Sequence, residues 1–261
     1  MRLLGSESSS LTLTDLGFLE RDLIEFKQAI RKPYGMILLT GPTGSGKSTT
    51  LCAALQEINH SDINIMTVEN PIEYVIDGIS QIQTGPKINF ADALRSLLRH
   101  DPDVLMVGEI RDSETADVAV KAAMTGHLVF STLHTNNAVS AVTRLMDIGC
   151  EPFLIGSTMT AVIAQRLVRR LCRHCAKGRP ATEDEKVLLG VEDEVEIFEP
   201  VGCAVCQGQG FRGRLGLFET LWFNEKLARL ISKGADEETL ESSAGSALKF
   251  MWEDGCDKVL R

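Results

Sequence analysis

The chain has 261 residues, 44% of them hydrophobic and 24% charged, with a formal net charge of -9. That length can bury a substantial core, and the composition is ordinary for a globular protein, which excludes a disordered or fibrous chain. The acidic balance offers no general attraction to nucleic acid or anionic lipid, no apolar run reaches the roughly 18 residues of a membrane span, and Met1 to Ser10 lacks the pattern of a secretory signal.

The opening residues read as a tail or linker over 1–12, ahead of the domain. Leu13 to Leu16 with Gly17 resembles a turn before a helix, and Leu19, Leu23, Phe26 and Ile30 then recur at helical spacing along one apolar face. Pro33 ends that element, and Met36 to Leu39 predicts a short buried strand. Gly41, Pro42, Thr43, Gly44, Ser45, Gly46, Lys47 and Ser48 follow and complete the G-x-x-x-x-G-K-S pattern, with the helix-compatible stretch Ser48 to Ile58 behind it. The glycines let the backbone turn tightly and aim N–H groups at a triphosphate, and the helix adds its positive N-terminus. Lys47 can reach the β and γ phosphates of ATP, the Ser48 hydroxyl can join a magnesium shell, and Thr49 supports the loop and helix.

Strands are predicted at Asn64 to Val68, Asp103 to Val107 and Leu128 to Thr132, and helices at Phe90 to Leu98, Glu114 to Met124 and Ala138 to Met146. This alternation predicts an α/β fold, a largely parallel sheet with helices on both faces, and ligand-binding loops at the carboxyl ends of its strands. Glu69 and Glu73 lie in one such loop and Glu109 in the next, where a carboxylate can polarise water or hold magnesium indirectly; Glu109 can equally pair with Arg111. The third loop carries Thr132, His134, Thr135 and Asn136, a cluster suited to sensing phosphate.

Farther on, Arg166, Arg169, Arg170, Arg173, Lys177 and Arg179 crowd one stretch, as a docking surface or as a charged helix end at a domain boundary. Cys172 with Cys175 and Cys203 with Cys206 form two C-x-x-C hooks, a spacing suited to a closed structural zinc site and less to four free thiols. The acidic segment between them reads as an excursion stapled at its base, while Cys52, Cys150 and Cys256 are packing residues. Leu227, Leu230, Ile231, Ala247, Phe250 and Met251 predict packed faces of terminal helices, and Trp222 and Trp252 are assigned to packing.

Together the P-loop, the run Thr67 to Glu73, the run Val107 to Asp112, the run Thr125 to Leu128 and the run Ser131 to Asn136 closely resemble the secretion ATPase family of type II secretion and type IV pilus assembly. The resemblance runs from about Leu13 to the final helices. It implies a RecA-like P-loop NTPase core over 13–171, a zinc-binding tetracysteine module over 172–206 and a C-terminal helical subdomain over 207–261. Carried onto this chain, it makes Glu109 the Walker B catalytic residue near magnesium, and Glu69 and Glu73 the assisting carboxylates of the Asp box. His134 falls in the His box as phosphate sensor, with His127 a second candidate, and Asn70 stands where the family usually has aspartate. The implied cofactors are ATP, Mg2+ and Zn2+, and the implied assembly is a homo-hexamer. The implied place is cytoplasmic, at the inner face of the bacterial inner membrane through platform proteins, with no nucleic acid partner.

Full-length relatives resembling this chain carry N-terminal domains before the ATPase core, so an excised C-terminal domain and a naturally short protein are both open, with catalysis and ring formation expected to be limited. Type II secretion is the leading assignment, and the tetracysteine module favours assembly motors of either kind over the related retraction motors. Type IV pilus extension is the nearest alternative, and a nucleotide-responsive scaffold or a nucleic-acid translocase are the competing classes.

Overall fold

Residues 11–261 are described in the computed structural model, so the tail or linker expected over 1–12 falls almost wholly outside the described residues. Glu20–Ala29 (α1) buries Phe26 and Ala29 on the face that the helical spacing marks. Gly35–Thr40 (β1) is buried at every position, as a parallel strand covered on both faces should be. The glycine loop then leads into Lys47–Ile58 (α2). Ile65–Glu69 (β2), Ser80–Gln83 (β3), Val104–Val107 (β4) and Leu128–Leu133 (β5) extend the sheet. Between and after them run Phe90–Leu97 (α3), Ser113–Met124 (α4) and Val139–Asp147 (α5). Strand β3 is not among the strands predicted from sequence, because Ser80, Gln81, Ile82 and Gln83 offer a single apolar side chain to mark it.

Pro152–Thr158 (α6) precedes Met159–Leu171 (β6), whose first half is buried beside β1 and whose second half carries Arg166, Arg169 and Arg170 exposed. The basic stretch therefore begins on a strand, not at a helix end. Lys177–Pro180 (β7), Glu183–Leu189 (α7) and Glu196–Glu199 (β8) make a small excursion closed by antiparallel pairing of its two strands. Phe211–Trp222 (β9) returns antiparallel along β6 and joins the main sheet. The C-terminal helical subdomain expected over 207–261 thus opens with a strand of the main sheet. The partner of β9 lies across the whole cysteine excursion, and pairing at that separation leaves no local signal in the sequence. Helices appear only after Trp222, as Glu225–Ser232 (α8), Glu237–Ala244 (α9) and Met251–Val259 (α10), with the short strand Leu248–Lys249 (β10) before the last.

The eight-stranded sheet has the order β10-β9-β6-β1-β5-β4-β2-β3, with β6 through β3 parallel, β9 antiparallel to β6 and β10 antiparallel to β9. Alternation along β1 divides the core: Met36 and Leu38 join one cluster with α4 and α5, while Ile37 and Leu39 join the other with α1 and α2. Helix α10 is tied to β9 by Asp254, which accepts from the Phe218 N–H at 2.9 Å and pairs with Lys258. Trp252 on that helix is 64% exposed, against its assignment to packing. Among the described residues no helix is long and apolar enough to cross a membrane.

Candidate active site

The sheet order places the carboxyl ends of β1, β2, β4 and β5 side by side, and a cavity of about 460 Å³ opens there. The glycine loop forms its floor. Gly41 has φ 140°, and a Cβ there would meet the Gln165 carbonyl at 2.4 Å; Gly46 has φ 93°, and a Cβ would meet Gln165 Nε2 at 2.8 Å. Only glycine lets this loop lie against β6 while turning its N–H groups outward. Lys47 donates from Nζ to the Gly41 carbonyl at 2.7 Å and the Pro42 carbonyl at 3.1 Å, so its ammonium is folded back on its own loop. Burial pulls that amine below its ordinary value, and the charges of Glu109 and Glu73 act against the shift. Ser45 Oγ is buried and has no hydrogen-bond partner among the described residues. Thr43, Gly44, Ser48 and Thr49 complete this wall.

Three carboxylates face the loop. Glu69, at the end of β2, is buried, and its Oε1 accepts from Thr67 Oγ1 at 2.7 Å and Gln81 Nε2 at 3.0 Å. Glu73 lines the cavity from the following loop, beside Asn70. Glu109 follows β4, where Arg111 Nε lies 2.7 Å and His134 Nε2 3.4 Å from its Oε2. The ion pair weighed in the sequence is thus formed, without removing Glu109 from the cavity. Asp112, the last acid of the same run, caps α4 by accepting from the Thr115 N–H at 2.8 Å, a structural role worth about 1 kcal/mol.

His134 lies in the cavity wall, but His127 does not. It precedes β5, so the strand's six residues, roughly 20 Å of extended chain, separate it from the site. There its Nδ1 lies 3.0 Å from the Ala122 carbonyl and its own carbonyl accepts from Gly35 at 3.1 Å, so the structure does not bring it together with His134. Conversely, Tyr74, Gln81, Leu167 and Arg214 line the cavity although no motif in the sequence marks them. Leu167 and Arg214 arrive on β6 and β9, so only recognising that strand pair would have found them.

The second constellation is apart from the cavity. Cys172, Cys175, Cys203 and Cys206 bring their sulfurs within 4.8 Å of one another. The separations are 4.0 Å for Cys172–Cys203, 3.7 Å for Cys175–Cys206 and 3.8 Å for Cys203–Cys206. Backbone N–H groups of Gly202, Cys203 and Gly210 point at these sulfurs from 3.2–3.3 Å. Burial raises the Cys206 thiol, but the N–H bonds of Cys203 and Gly210, with those of the Cys175 and Cys203 sulfurs, bring it down to about 6. Such a set can hold a metal ion.

A family model described as "Type II/IV secretion system protein" matches residues 1–261. The type II secretion system protein E of Aeromonas hydrophila is 49% identical over 265 residues, covering 100% of this chain and 53% of that protein. The type IV pilus assembly ATPase PilB of Myxococcus xanthus is 49% identical over 253 residues, covering 94% of this chain and 44% of that protein. The chain spans about half the length of the curated relatives it matches. Among solved structures, the pilus retraction motor PilT with bound ADP matches with TM-score 0.67 and 32% identity, over 89% of this chain and 58% of that one. The ATPase DotB of Legionella pneumophila matches with TM-score 0.68 and 28% identity, over 95% of this chain and 61% of that one.

Proposed function

Because the chain belongs to the type II/IV secretion system protein family, we propose that it is the ATP-hydrolysing motor domain of a type II secretion system, powering assembly of a pilus-like fibre for protein export. The observation that carries this reading is the convergence of Lys47, Ser48, Glu69, Glu73, Glu109 and His134 on one cavity. The nucleotide bound to PilT supports an adenine nucleotide as ligand.

In this mechanism Lys47 leaves the Gly41 and Pro42 carbonyls and turns to the β and γ phosphates, exchanging two neutral acceptors for charged ones. Ser48 and Glu109 would hold magnesium, which when bound neutralises charge on the phosphate oxygens. With Arg111 and His134 both on Glu109 Oε2, its Oε1 is the oxygen that orients water in line with the γ phosphorus and takes its proton. Glu69 and Glu73 assist in holding that water. A His134 imidazole beside Glu109 links the state of the phosphate to the β5 loop.

The tetracysteine cluster serves as a structural zinc site. A tetrahedral S4 shell with Zn–S near 2.3 Å has S···S edges of about 3.8 Å. Three of the six sulfur separations, at 3.7–4.0 Å, match those edges, all six lie within 4.8 Å, and four sulfurs would leave no open position for catalysis. A RecA-like core, a homo-hexamer and attachment to platform proteins at the cytoplasmic face of the inner membrane belong to the same reading. Type IV pilus extension is the second reading, favoured by the equal identity to Myxococcus PilB.

Phosphate release by the metal-loaded chain tests the activity. Release abolished in Glu109→Gln supports a motor, whereas tight binding of Mg·ATP with no release from either protein supports a nucleotide-responsive scaffold. Restoring export or piliation with the full-length gene in the matching deletion strains separates the two assembly roles.

A further inference from the structure

The loop from Asn70 to Ile79 carries Glu73 into the cavity and lies beside the sheet's edge at β3. Among the described residues no backbone hydrogen bond joins this loop to β3, so it is held by side chains. Three side chains do so here, the first being Asn59, whose Nδ2 donates to the Asp77 carbonyl at 2.8 Å. Gln83 Oε1 accepts from the Ile72 N–H at 3.2 Å. Gln81 Oε1 accepts from the Ile76 N–H at 2.9 Å, while its Nε2 donates to the Tyr74 carbonyl at 2.9 Å and to Glu69 Oε1 at 3.0 Å. The orientation of the Gln81 amide follows from its partners: the carboxylate and the carbonyl only accept, and the backbone N–H only donates. Both donors and the acceptor are therefore engaged.

We propose that Gln81 is a positioning residue of the site, acting as a stand-in peptide group that fixes the Glu69 carboxylate and the Glu73 loop in one arrangement. The proposal rests on the reading of Glu69 and Glu73 as assisting carboxylates. Thr67 and Gln81 are register partners on β2 and β3, so both side chains stand on one face and both donate to the same oxygen of Glu69. That saturates Oε1 and sets the carboxylate plane, leaving Oε2 with no protein donor among the described residues. On the other side of the loop, the Tyr74 hydroxyl lies 3.2 Å from Thr49 Oγ1, one residue past Ser48. Gln81 thus orients one acid directly and, through Tyr74, sets the distance between the other acid and the phosphate-binding helix. Rigid support of this kind matters because a misplacement of about 1 Å in a catalytic group can cost on the order of 100-fold in rate.

The test uses the 261-residue chain with Gln81→Met, which keeps length and removes the amide, and Thr67→Val, which removes only the second donor. Binding of Mg·ATP, single-turnover hydrolysis and amide exchange at Ile72 and Ile76 are read together. The Ile76 N–H is held by Gln81 and the Ile72 N–H by Gln83, so the second amide is an internal reference for the first. The expected result for Gln81→Met is a single-turnover rate lower by roughly 10- to 100-fold, nucleotide affinity within about threefold of wild type, and faster exchange at Ile76 than at Ile72. Thr67→Val should show a smaller loss of rate of the same kind. Combining Gln81→Met with Glu69→Gln should lose less than the product of the two single losses, because the Glu69 carboxylate is gone and only the Glu73 loop is left to position. Wild-type rates in a folded Gln81→Met, or losses that multiply in the double variant, overturn the proposal and leave the proposed function standing. A wild-type chain without turnover, or a fully active Glu69→Gln, overturns the functional reading instead. In that event exchange at Ile76 still decides the clamp: acceleration in Gln81→Met upholds it and no change removes it.

Discussion

Arg111 and Glu109 meet at the end of strand β4, where the guanidinium Nε stands 2.7 Å from Oε2 while the arginine side chain is 73% exposed. Screening by water makes such a pair weak, so Arg111→Ala should cost less than about 1 kcal/mol in denaturant unfolding. Glu109→Gln should leave Mg·ATP binding nearly intact and lower turnover by roughly 100-fold or more. Normal turnover in a folded Glu109→Gln would remove this residue from the chemistry.

Lys47 supplies the one buried ammonium of the phosphate loop, and its bonds to Gly41 and Pro42 are made to neutral carbonyls. Lys47→Ala should therefore weaken Mg·ATP binding by at least about tenfold, with the far-ultraviolet spectrum unchanged. Calorimetric titration of the variant checks this, and an unaltered affinity would contradict the assigned phosphate contact.

The two histidines first grouped together should part in solution. His134→Ala removes a group that reaches Glu109 and should slow turnover, whereas His127→Ala removes a contact to the Ala122 carbonyl at the opposite end of β5 and should not. Parallel rate measurements decide it. Equal losses in both would mean that the strand does not separate them functionally.

Acid should loosen the excursion around α7. The Arg179 guanidinium, then the Thr182 N–H, hold the Glu185 carboxyl down at about 2 from its ordinary value of 4.5. A depressed carboxyl contributes stability that is fully present above 4.5 and is lost as the pH falls toward about 2. Amide exchange in α7 should rise across that window in the wild type and already be raised at neutral pH in Glu185→Gln. A flat profile between those limits would show that the pair does not stabilise this element.

Metal analysis of protein purified without added zinc should find one zinc per chain at Cys172, Cys175, Cys203 and Cys206. Cys172→Ser with Cys203→Ser should open residues 172–206 to protease and leave Mg·ATP binding in place, because none of the four cysteines lines the cavity beside the glycine loop. A reduced, folded wild type without stoichiometric metal would defeat the assignment.

Much of the site was legible before any fold was known. The glycine loop from Gly41 to Ser48 is contiguous, and its backbone conformation needs those glycines whatever surrounds it. Glu69, Glu73, Glu109 and His134 were legible because each lies at or soon after the end of a short apolar strand, and a parallel sheet gathers the ends of its strands on one side. The cysteine hooks were legible for a similar reason, since a two-residue gap already brings two sulfurs together.

Other features depended on pairing between distant segments. His127 and His134 look alike in sequence, and only the direction of β5 sends one away from the cavity and the other into it. Arg214 and Leu167 enter the site because β9 returns along β6 after the excursion, and Gln81 acts on Glu69 because β3 lies in register with β2. Local spacing determined the glycine loop and the thiol hooks, which are made by neighbours in the chain, and strand patterning determined which loops carry the carboxylates. Strand register decided which of the remaining polar side chains reach them, because hydrogen bonds between strands join residues that no local period connects.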